Sequence, residues 1–479
     1  MKFKIFIFSF IAFLYAGTLF AKVTLPSVFS SGMVLQQNSL VNIWGKATKE
    51  VRITTSWDGK NYITAPDKTG NWKTKLQTPT AGGPFTIIIN DGEELKLTDV
   101  LIGEVWLASG QSNMEMPLKG FKGQPVEGSE EAIKGSANPK IRFFNVQNIS
   151  WKKPLDDCKG AWLNASPQNA SDFSAIAYFY AKILQEKLNV PIGIIEADWG
   201  GTVVQAWMSE SALASFPETK VPVQANEGNK DKNTATGLYN GMINPIKGYN
   251  IKGAIWYQGE QNRNEPDLYL KMFPAMVKQW RKDWGVGDFA FYYAQIAPYI
   301  SKTEKLSQAT LKLVPYVPVL RESQLLAEKK IKNAGMAVLM DIGASNTIHP
   351  PNKKSVAERL SYLALAKTYK FDDIPYTGAT YKKSKVKGNA ISLSFDNTAG
   401  GLVLKNKDSN NFEIAGADKV FYPAKVVVDG NQLTLSSDKV TKPVAARYAF
   451  KAWAMGDLYN NAGLPVSSFR TDKWSVVEK

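Results

Sequence analysis

Between about Val100 and Lys370, short apolar runs alternate with stretches whose apolar residues recur at helical spacing, and outside that span the helical spacing disappears. This switch limits the fold more than any other feature of the chain. Strand–helix alternation packs as a parallel sheet with helices on both faces, so an α/β layer is expected here. In one unit, Ala177, Tyr180, Ala181, Leu184 and Leu188 share a helical face, Asn189 to Pro191 stop the helix, and Ile192–Glu196 follow as a strand. A second runs from Ile251–Trp256 through a helix ending near Trp284 to a strand at Phe289–Ile296. Val356, Leu360, Leu363 and Ala364 place a closing helix against the sheet.

The flanks read differently. Residues 22–99 hold short strands at Val41–Trp44, Val51–Trp57, Trp72–Leu76 and Phe85–Ile89, punctuated by turns at Asp58-Gly59, Thr69-Gly70 and Ala81-Gly82-Gly83, which predicts a small β-sandwich. Residues 371–479 return to strands, among them Ala390–Phe395, Lys425–Val428 and Gln432–Ser436, with a hairpin turn at Asp429-Gly430. A second all-β domain is expected there. The segments Gly120–Ala137 and Pro222–Ala235 are polar and predict loops that rim a site.

Residues 1–21 carry Lys2 and Lys4, then an apolar stretch from Ile5 to Leu14 and small residues ending at Ala21, the pattern of a secretory signal peptide. Export to the periplasm or beyond is expected, with Lys22 starting the mature chain. No stretch is long enough for a stable membrane span. Cys158 is the only cysteine, which rules out an intramolecular disulfide, and with one histidine a Cys/His zinc site has at most one ligand of each kind. Metal-free, cofactor-free chemistry is expected. The formal charge of +15 falls by two with the leader lysines and suits anionic partners such as acidic glycans or lipid head groups. Nucleic acid is not expected, because the lysines are dispersed and no reader motif is present. Nothing in the sequence sets an oligomeric state.

The single histidine, His349, sharpens any catalytic hypothesis, since a proton shuttle working near neutral pH must use it or do without imidazole. It follows the apolar run Ala337–Met340 on a small-residue loop. A partner stands at the end of another strand. Val100–Leu107 runs into Ala108-Ser109-Gly110-Gln111-Ser112-Asn113-Met114, which presents Ser112 on a tight turn, and catalytic groups of open α/β sheets gather beyond the carboxyl ends of strands. A serine hydroxyl needs an adjacent base to act as nucleophile. Two further strand ends offer donors for an oxyanion: Asp198-Trp199-Gly200-Gly201-Thr202 through backbone N–H groups, and Tyr257-Gln258-Gly259-Glu260 through the Gln258 amide. Taken singly, the glycine pair reads as a strand-to-helix turn and Gln258 as a buried loop brace.

Gly110-Gln111-Ser112-Asn113-Met114, Trp199-Gly200-Gly201-Thr202, Trp256-Tyr257-Gln258-Gly259-Glu260 and Ile348-His349-Pro350 resemble the ordered blocks of the SGNH-type carbohydrate esterases, most closely the sialate O-acetylesterase group. Pro26-Ser27-Val28-Phe29, Met33-Val34-Leu35-Gln36-Gln37, Gly463-Leu464-Pro465 and Phe469-Arg470-Thr471-Asp472 extend the resemblance over nearly the whole mature chain. It implies an SGNH-hydrolase-like domain over 100–370. It also implies Ser112 as nucleophile, His349 as general base then acid, and an oxyanion hole from the Ser112 amide, Gly200 or Gly201, and Gln258. Gln111, Glu260 and Trp199 fall within the same blocks, and Trp199 and Trp207 are candidate sugar contacts.

SGNH hydrolases often carry an aspartate two or three residues before the histidine; here Thr347 and Asn346 stand there. The ring is then oriented by the Asn346 side chain, by a backbone carbonyl in a Ser–His dyad, or by a distant acid, Asp341 or Glu260. The dyad and Asn346 are favoured over Asp341, and Glu260 is an alternative brace for the Gln258 loop. The expected activity is metal-independent hydrolysis of O-acetyl esters on a glycan, first of all on sialic acids. Its rivals are an acetylesterase for hemicellulose such as acetylated xylan, and an inactive glycan-binding protein.

Overall fold

The computed structural model describes residues 22–221, 231–300 and 315–476. The expected leader, residues 1–21, and residues 222–230 of the second polar loop lie outside them.

Seven strands form the central layer, in the spatial order Ala334–Ala337, Ala290–Ala294, Gly253–Tyr257, Glu94–Gly110, Ile192–Asp198, Asn138–Asn145 and Trp162–Ala165. The first six are parallel to one another, and the Trp162 strand closes one edge antiparallel. Both faces are buried, as continuous apolar strands require. Along the long strand, Val105 and Leu107 enter one core with Met272, Phe273 and Trp280 of the helix Pro266–Trp284, while Trp106 and Ala108 enter the other with helices Ala175–Leu188 and Lys353–Leu363. That is the expected parallel sheet with helices on both faces.

The Glu94–Gly110 strand is one continuous element of 17 residues. Its first half pairs antiparallel with Gly82–Asn90 in the N-terminal β-layer, and its second half pairs parallel with Ile192–Asp198 and Gly253–Tyr257. The expected boundary at 99/100 therefore falls inside a strand. Alternation in Leu95–Leu97 marks a half-exposed ribbon and the apolar run from Val100 a buried one, so the pattern changes where the strand crosses between layers, not where it begins. Beyond residue 371, two four-stranded antiparallel sheets enclose a core with Leu393, Phe412, Leu433 and Phe469.

Other expected elements differ in extent. The polar segment Gly120–Ala137 contains a short helix, Ser129–Lys134. No helix among the described residues is long and apolar enough to cross a membrane.

The C-terminal β-region is fastened to the central layer by buried polar contacts. Arg321, fully buried on the helix Tyr316–Glu328, donates to the carbonyls of Lys451 and Ala452 and to Ser468 Oγ. Arg470 pairs with Glu322 at 2.7 Å. Replacing Arg321 by Met leaves these acceptors without donors, and Arg321→Met is expected to lower stability by about 3 kcal/mol. A chemical-denaturation midpoint equal to that of the wild type would contradict this role.

Candidate active site

Ser112 opens a four-residue helix, Ser112–Glu115, directly after the long strand. Gly110 makes this turn possible. Its φ is +142°, and a Cβ there would stand 2.1 Å from the Tyr257 carbonyl oxygen, a position closed to other residues. The Gln111 N–H donates to that same carbonyl at 2.9 Å. The serine is thereby held beyond the end of the central strand, half-buried, with its amide at the first helical position, where no i−4 carbonyl exists to receive it.

His349 reaches Ser112 from the loop after the Ala334–Ala337 strand, its Nε2 2.7 Å from Ser112 Oγ. Its Nδ1 lies 2.7 Å from Gln124 Oε1. An amide oxygen only accepts, so the proton sits on Nδ1 and Nε2 is left to accept from the serine. The Thr347 hydroxyl also donates to Gln124 Oε1, at 3.2 Å, while accepting the His349 N–H at 3.0 Å. Phe121 packs edge-on to the ring, 5.4 Å between centroids.

Gln124 thus takes the place assigned to Asn346 or to a backbone carbonyl. Asn346 is exposed, and among the described residues it makes no bond to the ring. The ring edge faces the Gly120–Ala137 segment across the cleft rather than its own loop. The distant acids are engaged elsewhere. Asp341 is held by Arg359 at 2.7 and 2.8 Å, and Glu260 accepts from Asn113 Nδ2 at 2.7 Å.

Burial, and secondarily the Lys353 charge, push the His349 ring down to about 4. Lys353 is itself fully buried, which pushes its ammonium down to about 7 against the pull of Glu260. Lys353 donates to Asn113 Oδ1, and Asn113 donates both to Glu260 and to the Ile348 carbonyl at 3.1 Å. This chain ties the backbone beside His349 to the residue beside Ser112. The pair's spacing therefore depends on a buried polar network.

The remaining residues of the four blocks divide between braces and cavity wall. Gln258 is fully buried and spends its amide hydrogens on Thr202 O at 2.9 Å and Asn262 Oδ1 at 2.7 Å, so it braces the loop and is no oxyanion donor. Gln111, 2% exposed, accepts from the amides of Gly259 and Gln261 at 3.3 and 3.4 Å, and is likewise a brace. Glu260 is buried and holds Asn113. The Gly200 N–H is already donated to Glu115 Oε2 at 2.7 Å. What Gly200 contributes is the lack of a side chain, because a Cβ there would meet Glu115 Oε2 at 2.7 Å and Ser112 Cβ at 3.0 Å. Gly201 sits at φ +71° on the same turn. Trp199 is half-buried, whereas Trp207 is fully buried with its Nε1–H on Thr202 Oγ1 at 3.0 Å, which removes it as a sugar contact.

Sequence reasoning missed the acid-lined pocket of about 400 Å³ between Glu115 and Phe121. Glu196 and Asp198, two apart on one strand and so on one face, point into it with Asn145, Asn148 and Asp172. Burial and the neighbouring carboxylates raise Asp198 well above its ordinary range, and burial and Glu115 raise Glu196 to about 8. Asp198 Oδ2 has no hydrogen-bond partner among the described residues. Carboxyls kept protonated near neutrality both donate to and accept from hydroxyl groups. Among the described residues, no group of three or more His, Cys, Asp or Glu side chains is placed to hold a metal ion. The strand-end spacing of Glu196 and Asp198 was a usable sequence signal; nothing local singled out Gln124 or Lys353.

An activated serine beside a neutral imidazole, with an amide at its own position, is suited to acyl transfer. Comparison with known proteins agrees. Residues 102–341 match the family model "Carbohydrate esterase, sialic acid-specific acetylesterase". The mouse sialate O-acetylesterase is 28% identical over 499 residues, covering 89% of each chain, and the human one is 29% identical over 472 residues, covering 89% of this chain and 87% of its own. The crystal structure of a carbohydrate acetylesterase from Xanthomonas citri superposes with a TM-score of 0.84 at 34% identity, covering 95% of this chain and 100% of that one. The chain belongs to the sialic acid-specific acetylesterase family of carbohydrate esterases.

Proposed function

We propose that this carbohydrate acetylesterase works through an acetyl-Ser112 intermediate with His349 as the base. The observation that carries the proposal is the unbroken hydrogen-bonded line Ser112–His349–Gln124. Ser112 Oγ attacks the acetyl carbonyl as its proton passes to Nε2. The oxyanion turns toward the amides of Ser112 and Gly201, and the departing sugar oxygen takes the proton back from Nε2. Water, deprotonated by the same nitrogen, then releases acetate. Gln124 keeps the ring in the required tautomer without adding charge, so the imidazolium formed in each half-reaction is stabilised less than beside a carboxylate. The leader supports a site of action in the periplasm or outside the cell.

The names of the mammalian relatives and the positive net charge of the chain support O-acetylated sialic acid as the substrate. The acid-lined pocket favours a second reading, an acetylated neutral glycan whose hydroxyls meet Glu196 and Asp198. Acetate release from O-acetylated sialic acid and from acetyl-xylan separates the two. A clear preference for xylan would remove the sialate assignment.

Ser112→Ala and His349→Ala should each lower turnover of an aryl acetate by more than about 10³-fold without unfolding the protein. Full activity in either variant would refute the mechanism. The acid limb of kcat/KM, which follows the free enzyme's base, should lie at about pH 4, where burial holds the His349 ring, with activity falling as pH drops through it. Gln124→Glu places a carboxylate on Nδ1 and should move that limb upward by about 1–3 pH units. An unmoved limb would mean that Gln124 does not position the ring.

A further inference from the structure

A cleft of about 770 Å³ lies between the N-terminal β-layer and the central layer, away from Ser112. Its size is that of a ligand pocket, commonly about 300–1,000 Å³, and a seam between layers is where such pockets recur. None of its wall residues lines the acid-lined pocket. The strands Leu40–Lys46 and Asn71–Gln77 contribute two indoles, Trp44, half-buried, and Trp72, 2% exposed, and the opposite wall contributes Asn244.

Two atoms in these walls are buried without a hydrogen-bond partner among the described residues: Trp72 Nε1, a donor, and Asn244 Oδ1, an acceptor. Native structures seldom leave such atoms unmet, and a ligand hydroxyl answers both kinds once a small shift of the wall admits it. Charge narrows the ligand further. Three lysines and three aspartates line the cleft, and Lys46 already pairs with Asp156 at 3.3 Å, so the lining carries no net formal charge. The half-buried Trp44 leaves indole surface for the C–H face of a pyranose ring, while the rim groups hydrogen-bond to ring hydroxyls. A hydrophobic peptide would strip water from the charged rim without replacing it, and an anionic ligand would find no excess of cations.

We propose that this cleft is a second glycan-binding site, which holds neutral sugar units of the polymer whose acetyl ester is cleaved at Ser112. The proposal rests on carbohydrate being the substrate, not on the roles given to Ser112 and His349. One loop links the two places: Asn148 donates to Glu115 beside the nucleophile at 3.0 Å, and Asp156, eight residues on, lines the cleft. Eight residues span at most about 28 Å, a distance that a single oligosaccharide chain bridges. Binding there would keep the polymer at hand between successive ester cleavages, because the second contact becomes intramolecular.

The test uses unacetylated xylohexaose and cellohexaose as neutral probes and sialyllactose as the anionic one, each titrated against the mature protein by calorimetry. Because no ester is present, failure here is distinct from failure of the serine mechanism. A neutral hexaose should bind, Trp44→Ala should weaken it at least about tenfold, and aryl acetate turnover by that variant should match the wild type. Asp156→Ala, at a side chain 81% exposed and therefore safe for folding, should weaken binding as well. Four results would each overturn the proposal: no heat from either hexaose up to about 10 mM, preference for sialyllactose, hexaose affinity unchanged in Trp44→Ala, or unchanged affinity in Asp156→Ala.

Discussion

One strand carries the architecture. Glu94–Gly110 pairs with the N-terminal β-layer in its first half and occupies the middle of the central sheet in its second, so one hydrogen-bonded register fixes both layers and delivers Ser112 at its end. Gly110 ends it against the Tyr257 carbonyl, where a side chain has no room. The position of the serine relative to the neighbouring strand ends is therefore a property of the sheet rather than of a loop.

The chemistry depends on a different kind of constraint, the burial of polar groups around that serine. Lys353, Asn113 and Glu260 form a chain with no route to solvent, and ions in such a place cost several kcal/mol unless their partners are in place. The chain fastens the histidine loop to the Ser112 turn. It also keeps a positive charge near the ring, which together with burial favours neutral imidazole. A neutral amide at Nδ1 suits this setting, because it orients the ring without adding another buried charge.

Much of this was legible in the sequence, for identifiable reasons. Strand–helix periodicity gave the parallel sheet, since helices covering both faces force continuous apolar strands. The strand at Trp72–Leu76 was recognisable because exposed and buried side chains alternate along it. Ser112 and His349 stood out because a turn at a strand end and a solitary imidazole are rare and chemically specific. What failed was whatever depends on which loop faces which. Gln124 lies 225 residues from His349 inside a polar segment with no pattern of its own, so the candidates were a backbone carbonyl of the histidine loop and Asn346, which is near in sequence but exposed. Gln258 was recognised as special but given the wrong duty, since a sequence does not tell an amide aimed at a cavity from one spent on its own loop.

The central claim is that Ser112 carries the acetyl group between the two half-reactions. Rapid quenching of the enzyme during turnover of an acetylated substrate, followed by peptide mass spectrometry, tests it directly. The account predicts one acetyl group on the peptide containing Ser112, accumulating in the first turnover and absent from His349→Ala. An enzyme that turns over while every peptide stays unmodified, or that carries the acetyl group on another residue, would contradict it.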